Sequence, residues 1–211
     1  AATMVATHRP SASAGGHEMH ADPEVALRLS AQRRLALWLS RLSLPAVFVI
    51  ANSVMGIFPN FAIARELGII WSTVLAAIWM GSRSITFIVL GATSWWHTRP
   101  RLLLACGVAM LLSFLVITLP GERMGIFADA PLWVAVLHIT VGELVLGIAA
   151  GFIFSASLYF GMVLSDGSAE HGGYHEALIG AGMVLGPGLA AGAQMLSTQS
   201  TGMPGAKHHT R

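Results

Sequence analysis

Five stretches of this chain are each long and apolar enough to cross a bilayer, and that constrains the fold more than any other feature. A span needs about 20 mostly apolar residues to cover roughly 30 Å of hydrocarbon. The stretches run Leu42 to Ile63, Ile69 to Thr93, Leu102 to Leu119, Leu137 to Leu164 and Ala177 to Leu196. The fourth lies in a longer apolar run from Pro131, which predicts a short interfacial turn over Pro131 to Val136. Continuous apolar runs of this length exclude the alternating pattern of a membrane barrel. Only 10% of the 211 residues are charged, against roughly 25% in soluble domains, so the chain cannot cover a wet surface. The reading is an all-α integral membrane protein embedded in a lipid bilayer. A formal charge of +2, dispersed along the sequence, excludes a nucleic-acid partner. The single cysteine, Cys106, excludes a disulfide scaffold.

Arginines in the connecting segments set the orientation. Arg33, Arg34 and Arg41 precede the first span, and Arg99 and Arg101 join the second to the third. The other side receives Arg65 beside Glu66, and Arg123 beside Glu122 and Asp129. A cytoplasmic N-terminus in a cell membrane follows. The tail Lys207-His208-His209-Thr210-Arg211 then adds two cations to the opposite face, a misfit that a sixth span beyond Arg211 removes. Together with an N-terminus at Ala1, this leads us to expect a partial or processed polypeptide. Residues 1–30 are rich in Ala, Gly, Ser and His and read as a flexible cytoplasmic segment. Residues 198–211 read as a polar tail. From Pro23, with Asp22 as its cap, an amphipathic pattern predicts a helix lying on the inner face and leading into the first span.

Polar groups inside hydrocarbon are costly, so they are functional candidates by default. Arg83 lies past the middle of the second span, too deep to reach the headgroups easily. It needs a bundle interior or wet cavity, with a carboxylate, carbonyls or an anionic substrate as partner; a structural arginine paired across helices is the competing reading. Glu143 lies within about two turns of the start of the fourth span, with His138 a turn and a half upstream on a neighbouring face. A carboxyl group with a nearby imidazole is the pair of proton-carrying groups that a proton-coupled site needs. A glutamate near a helix N-terminus is equally explained by the helix dipole. Asn52, mid-depth in the first span, and Gln194, late in the fifth, have amides that bond a substrate or, more commonly, another helix. His175 and Glu176 open the fifth span and read as structural.

The glycines point to helix contact and motion. Gly147/Gly151, Gly182/Gly186 and Gly188/Gly192 are small-xxx-small pairs suited to close helix approach. Gly186-Pro187-Gly188 removes a backbone donor in mid-span and is a candidate hinge. No nucleophile motif, zinc-protease motif, phosphate loop or cysteine pair is present, so neither an enzyme nor a metal or organic cofactor is expected.

The order of these features resembles the C-terminal half of a major facilitator superfamily transporter. The likeness covers about Leu35 to Ser197. It rests on Phe58-Pro59-Asn60 followed by Arg65-Glu66-Leu67-Gly68-Ile69, on the segment Gly147 to Tyr159, and on Gly173 to Gly188, which is similar to the family's glycine-rich GP helix. The five spans would correspond to the seventh to eleventh helices of a twelve-helix fold, with the last helix and the N-terminal half missing. The family's charged loop signature would fall at Gly91 to Arg101, where Trp95 and Trp96 replace its acidic–basic pair; Ala190 and Ala191 stand where paired glycines are expected. The resemblance implies alternating access, in which two six-helix halves rock about a midplane site. Arg83 would line that cavity and Gly186-Pro187 would permit rocking. The small solute would move coupled to an ion gradient, with H+ as the candidate ion. A partner half or other membrane subunit would supply the opposite wall; a non-transporting structural subunit is the alternative.

Overall fold

The computed structural model describes the backbone of residues 23–164 and 169–201, and the side chains of 31, 34–163 and 172–196. The N-terminal segment up to Asp22, with its expected cap, and the tail from 202 lie outside the described residues. All regular structure among the described residues is helical: α1 (Pro23–Ile57), α2 (Ala62–Gly91), α3 (Arg101–Gly121), α4 (Leu132–Leu164) and α5 (Ala169–Thr201), with single 3-10 turns at Phe58–Asn60 and Gly125–Phe127. Among the described residues, five helices are long and apolar enough to cross a membrane, the makeup of a multi-pass membrane protein.

Boundaries differ from expectation in places that local chemistry explains. The helix expected on the inner face is continuous with the first span, because Leu, Ala, Arg and Gln between Ser30 and Leu42 contain no breaking signal. Pro45 is accommodated inside α1. That helix ends at Ile57 rather than Ile63: Pro59 disfavours helical backbone at the residue before it, and the chain turns through the 3-10 segment to Phe61 at ψ 143°. In α2, Gly68 at φ 74° breaks the helix, so the long straight part begins at Ile69. The expected turn over Pro131 to Val136 is instead the first turn of α4, with the Pro131 carbonyl accepting from Val134 N–H at 3.0 Å. The fifth helix begins by Ala169, so His175 and Glu176 lie about two turns inside it rather than at its start.

The glycine pairs fix the helix packing. A Cβ at Gly147 would overlap Ser82 and the Trp79 carbonyl of α2, and one at Gly151 would sit 2.9 Å from Thr86 Cβ and 3.1 Å from the Arg83 carbonyl. Rising numbers on α4 meet rising numbers on α2, so these helices are parallel. Gly182 abuts Phe48 and the Pro45 carbonyl of α1, and Gly186 abuts Asn52 and the Val49 carbonyl, which makes α1 and α5 parallel too. Ser53 Oγ donates to the Gly186 carbonyl at 2.9 Å, tying that seam across the helices. The third pair behaves otherwise: a Cβ at Gly188 or Gly192 would meet nothing within 4 Å, so this strip makes no close helix contact among the described residues. Helix α3 packs on α4 and α1.

At one end of the bundle, Arg123 takes a left-handed φ of 55°. Its guanidinium grips Glu66 through Nε (3.0 Å) and Nη2 (2.6 Å), while Nη1 donates to the Ala130 carbonyl at 2.6 Å. The start of α2, the end of α3 and the approach to α4 are thereby joined.

Candidate functional site

The parallel seam between α2 and α4 holds the polar groups that the bundle leaves unpaired. Among the described residues, four buried side-chain polar atoms lack a hydrogen-bond partner: Trp79 Nε1, Arg83 Nε and both carboxyl oxygens of Glu143. All four belong to facing parts of α2 and α4. Buried polar groups are nearly always paired, so a cluster of orphans calls for an explanation.

Arg83 lies on the bundle side of α2. Its guanidinium carbon is 5.0 Å from the Trp79 ring centre and 5.7 Å from that of Phe87, residues one turn before and one turn after it. The spacing i−4, i, i+4 puts all three on one helix stripe. Phe87 packs on Phe154 of α4 at 5.5 Å between ring centres. Phe154 in turn meets Phe48 of α1 at 6.4 Å and His175 of α5 at 5.3 Å. One aromatic side chain therefore joins four helices beside the arginine. The cation is held by ring faces, and no ion pair connects it to Glu143 or to another described carboxylate.

Glu143 is fully buried, at 0% exposure. It lies one turn before Gly147, the point where α4 presses on Trp79 and Ser82. The Glu143 carboxyl faces the Trp79 backbone, and the donor side-chain atoms of α2 and the acceptor atoms of α4 occupy the same seam without pairing with each other.

The remaining candidates fall elsewhere. His138 is exposed; its Nδ1 is 2.8 Å from the Val134 carbonyl and its ring packs on Phe127 at 4.9 Å. Five residues at 3.6 per turn set His138 about 140° around α4 from Glu143, so the two do not form a pair. Asn52 donates from Nδ2 to the Phe48 carbonyl at 2.7 Å within its own helix, and its Cβ forms part of the surface against Gly186. Gly182 and Gly186 lie in the α1–α5 seam, and α5 stays helical through Gly186-Pro187-Gly188.

Three participants escaped the sequence reading. Trp79 and Phe87 carried a signal, their fourfold spacing about Arg83. Phe154 carried none, because its role depends on four helices meeting. His175 is buried at 5% exposure, with Nε2 3.5 Å from Ser157 Oγ of α4. No protein-family model, curated protein or solved structure matches the chain.

Proposed function

We propose that this chain is part of a facilitator-type secondary transporter that moves a small solute across a cell membrane by alternating access, coupled to protons, with its N-terminal side in the cytoplasm. A second helix bundle or another membrane subunit supplies the opposite wall of the pathway. The observation that carries this reading is the α2–α4 seam, where Arg83, Trp79 and Glu143 present buried polar atoms without partners. Membrane helices tolerate such groups where they serve a solute or ion path. In this reading Arg83 and Trp79 offer N–H donors to an electronegative group of the solute, and Glu143 binds and releases the proton.

The helix arrangement supports the same reading. Facilitator halves contain inverted repeats of three helices each. Exchanging first with fourth and second with fifth converts the α1–α5 contact into the α4–α2 contact. Both contacts occur, both are parallel, and both use a pair of glycines at a spacing of four. Smooth seams of this kind let helices shift as units, with Gly186-Pro187 as the flexible point of α5.

The complete burial of Glu143 favours one competing reading, a structural subunit whose seam only holds helices together. Reconstitution of the full-length protein into vesicles containing a pH-sensitive dye separates the two. The vesicles are challenged with small carboxylates, amines and sugars. Arg83→Ala is expected to abolish solute-driven proton movement, and Glu143→Gln to remove proton movement while the protein stays inserted. If both variants match wild-type flux, the transport role of this seam is wrong; if no solute moves even in the wild type, the structural subunit is the better account.

A further inference from the structure

A second site lies on the outer side of the bundle, with Ser82 and Thr86 of the α2–α4 seam forming part of its wall. A groove of about 500 Å³ runs between α2, α3 and α4, lined by apolar side chains including Ile85, Val89, Trp95, Leu102, Leu144 and Ile148. Ile85, Val89, Leu144 and Ile148 are exposed, so the groove opens sideways from the bundle. Its end is formed by the turn between α2 and α3, where the tryptophan pair of the sequence lies.

The two tryptophans do different things. Trp96 is buried, donates from Nε1 to the carbonyls of Leu90 (3.2 Å) and Thr93 (3.0 Å), and sets its ring edge against Phe152 and Tyr159. His97 stacks on Tyr159 at 4.0 Å and 11°. These contacts fix the turn, and Trp95 is directed outward onto the groove. Arg99 places its guanidinium over the Trp95 ring at 5.6 Å. Arg101 opens α3 immediately before the groove residue Leu102. Neither arginine is ion-paired with a described carboxylate.

We propose that this groove binds an anionic glycerophospholipid, with one acyl chain against α2, α3 and α4 and the phosphate at Arg99 and Arg101. An apolar channel calls for a hydrocarbon chain, and Arg99 on Trp95 and Arg101 next to Leu102, neither ion-paired with a described carboxylate, call for an anion; a phospholipid of net negative charge has both in one molecule. Tryptophan suits the boundary between them, and basic pockets between membrane helices are known to select anionic headgroups. The inference needs only a membrane-embedded bundle and stands whether or not the protein transports.

Native mass spectrometry of the delipidated full-length protein tests it, with phosphatidylglycerol and phosphatidylcholine of identical acyl chains added separately. Wild-type protein is expected to retain phosphatidylglycerol at activation energies that strip phosphatidylcholine. Replacing both Arg99→Ala and Arg101→Ala is expected to weaken phosphatidylglycerol retention roughly thirtyfold, to the phosphatidylcholine level. Ile148→Trp, which fills the groove and leaves both arginines, is expected to weaken both lipids. Arg99→Lys with Arg101→Lys is expected to keep the preference, and decides the question should the alanine pair not fold. Equal retention of the two lipids by wild type, or an undiminished preference in the alanine pair, overturns the proposal.

Discussion

Arg83 and Arg123 show how differently one side chain type behaves in this chain. Arg123 is satisfied: three of its nitrogens bond Glu66 and the Ala130 carbonyl. It holds a left-handed backbone that costs a non-glycine residue roughly 1 kcal/mol. Because the Glu66 side chain is 43% exposed, the net gain from the pair is small, about 1 kcal/mol. Glu66→Gln is therefore expected to lower the melting temperature in detergent by about 2–4 °C, and a drop beyond 10 °C by differential scanning fluorimetry would show that the pair does far more. Arg83 is the opposite case, with a buried Nε that has no acceptor among the described residues. Its depth was legible from its place in an apolar run, and so was that of Glu143. The Glu66–Arg123 pair was not legible, because its members are 57 residues apart and meet only when three helices assemble. Reading Glu66 with its neighbour Arg65 used sequence adjacency, which the turn at Gly68 does not respect.

At the scale of the helices, the glycine pairs make a contrast that spacing alone cannot. Three pairs share the spacing of four, yet only Gly147/Gly151 and Gly182/Gly186 face another backbone. Spacing identifies a stripe; which stripe has a neighbour depends on assembly. Gly147→Ala is expected to force α2 and α4 apart at a cost of about 1–3 kcal/mol. Gly192→Ala, with nothing within 4 Å of the new methyl, is expected to be neutral or stabilising by up to about 1 kcal/mol. Thermal unfolding of the two variants side by side decides this, and equal losses would show that the seams do not depend on close approach. Pro187 belongs to the same scale. Pro187→Ala restores a helix donor and is expected to raise the melting temperature while slowing transport; a faster or unchanged rate in the vesicle assay would remove the hinge role. The extension of α1 back to Pro23 follows from an uninterrupted series of helix formers, whereas the expected break rested on the change from amphipathic to fully apolar, which alters a helix's surroundings and not its backbone.

For the whole molecule, the pattern of parallel contacts matters most. The α1–α5 and α2–α4 seams leave α3 outside them, and aromatic contacts gather α1, α2, α4 and α5 around Phe154 beside Arg83. The side of the bundle with Arg83 is thus chemically distinct from the side with the apolar groove. The number of spans was readable from apolar length; the division of the bundle into a polar seam and a lipid-facing side was not, since it depends on how each helix is rotated about its axis. A solute path along this seam requires that division: water must reach the Arg83 stripe and not the Ile85 stripe of the same helix. Thiol accessibility in sealed vesicles measures it directly. With the native thiol removed by Cys106→Ser, Arg83→Cys and Phe87→Cys are expected to react with a small charged thiosulfonate, while Ile85→Cys and Val89→Cys stay unmodified. Protection of the first two positions to the same extent as the second two would contradict a solute path along this seam.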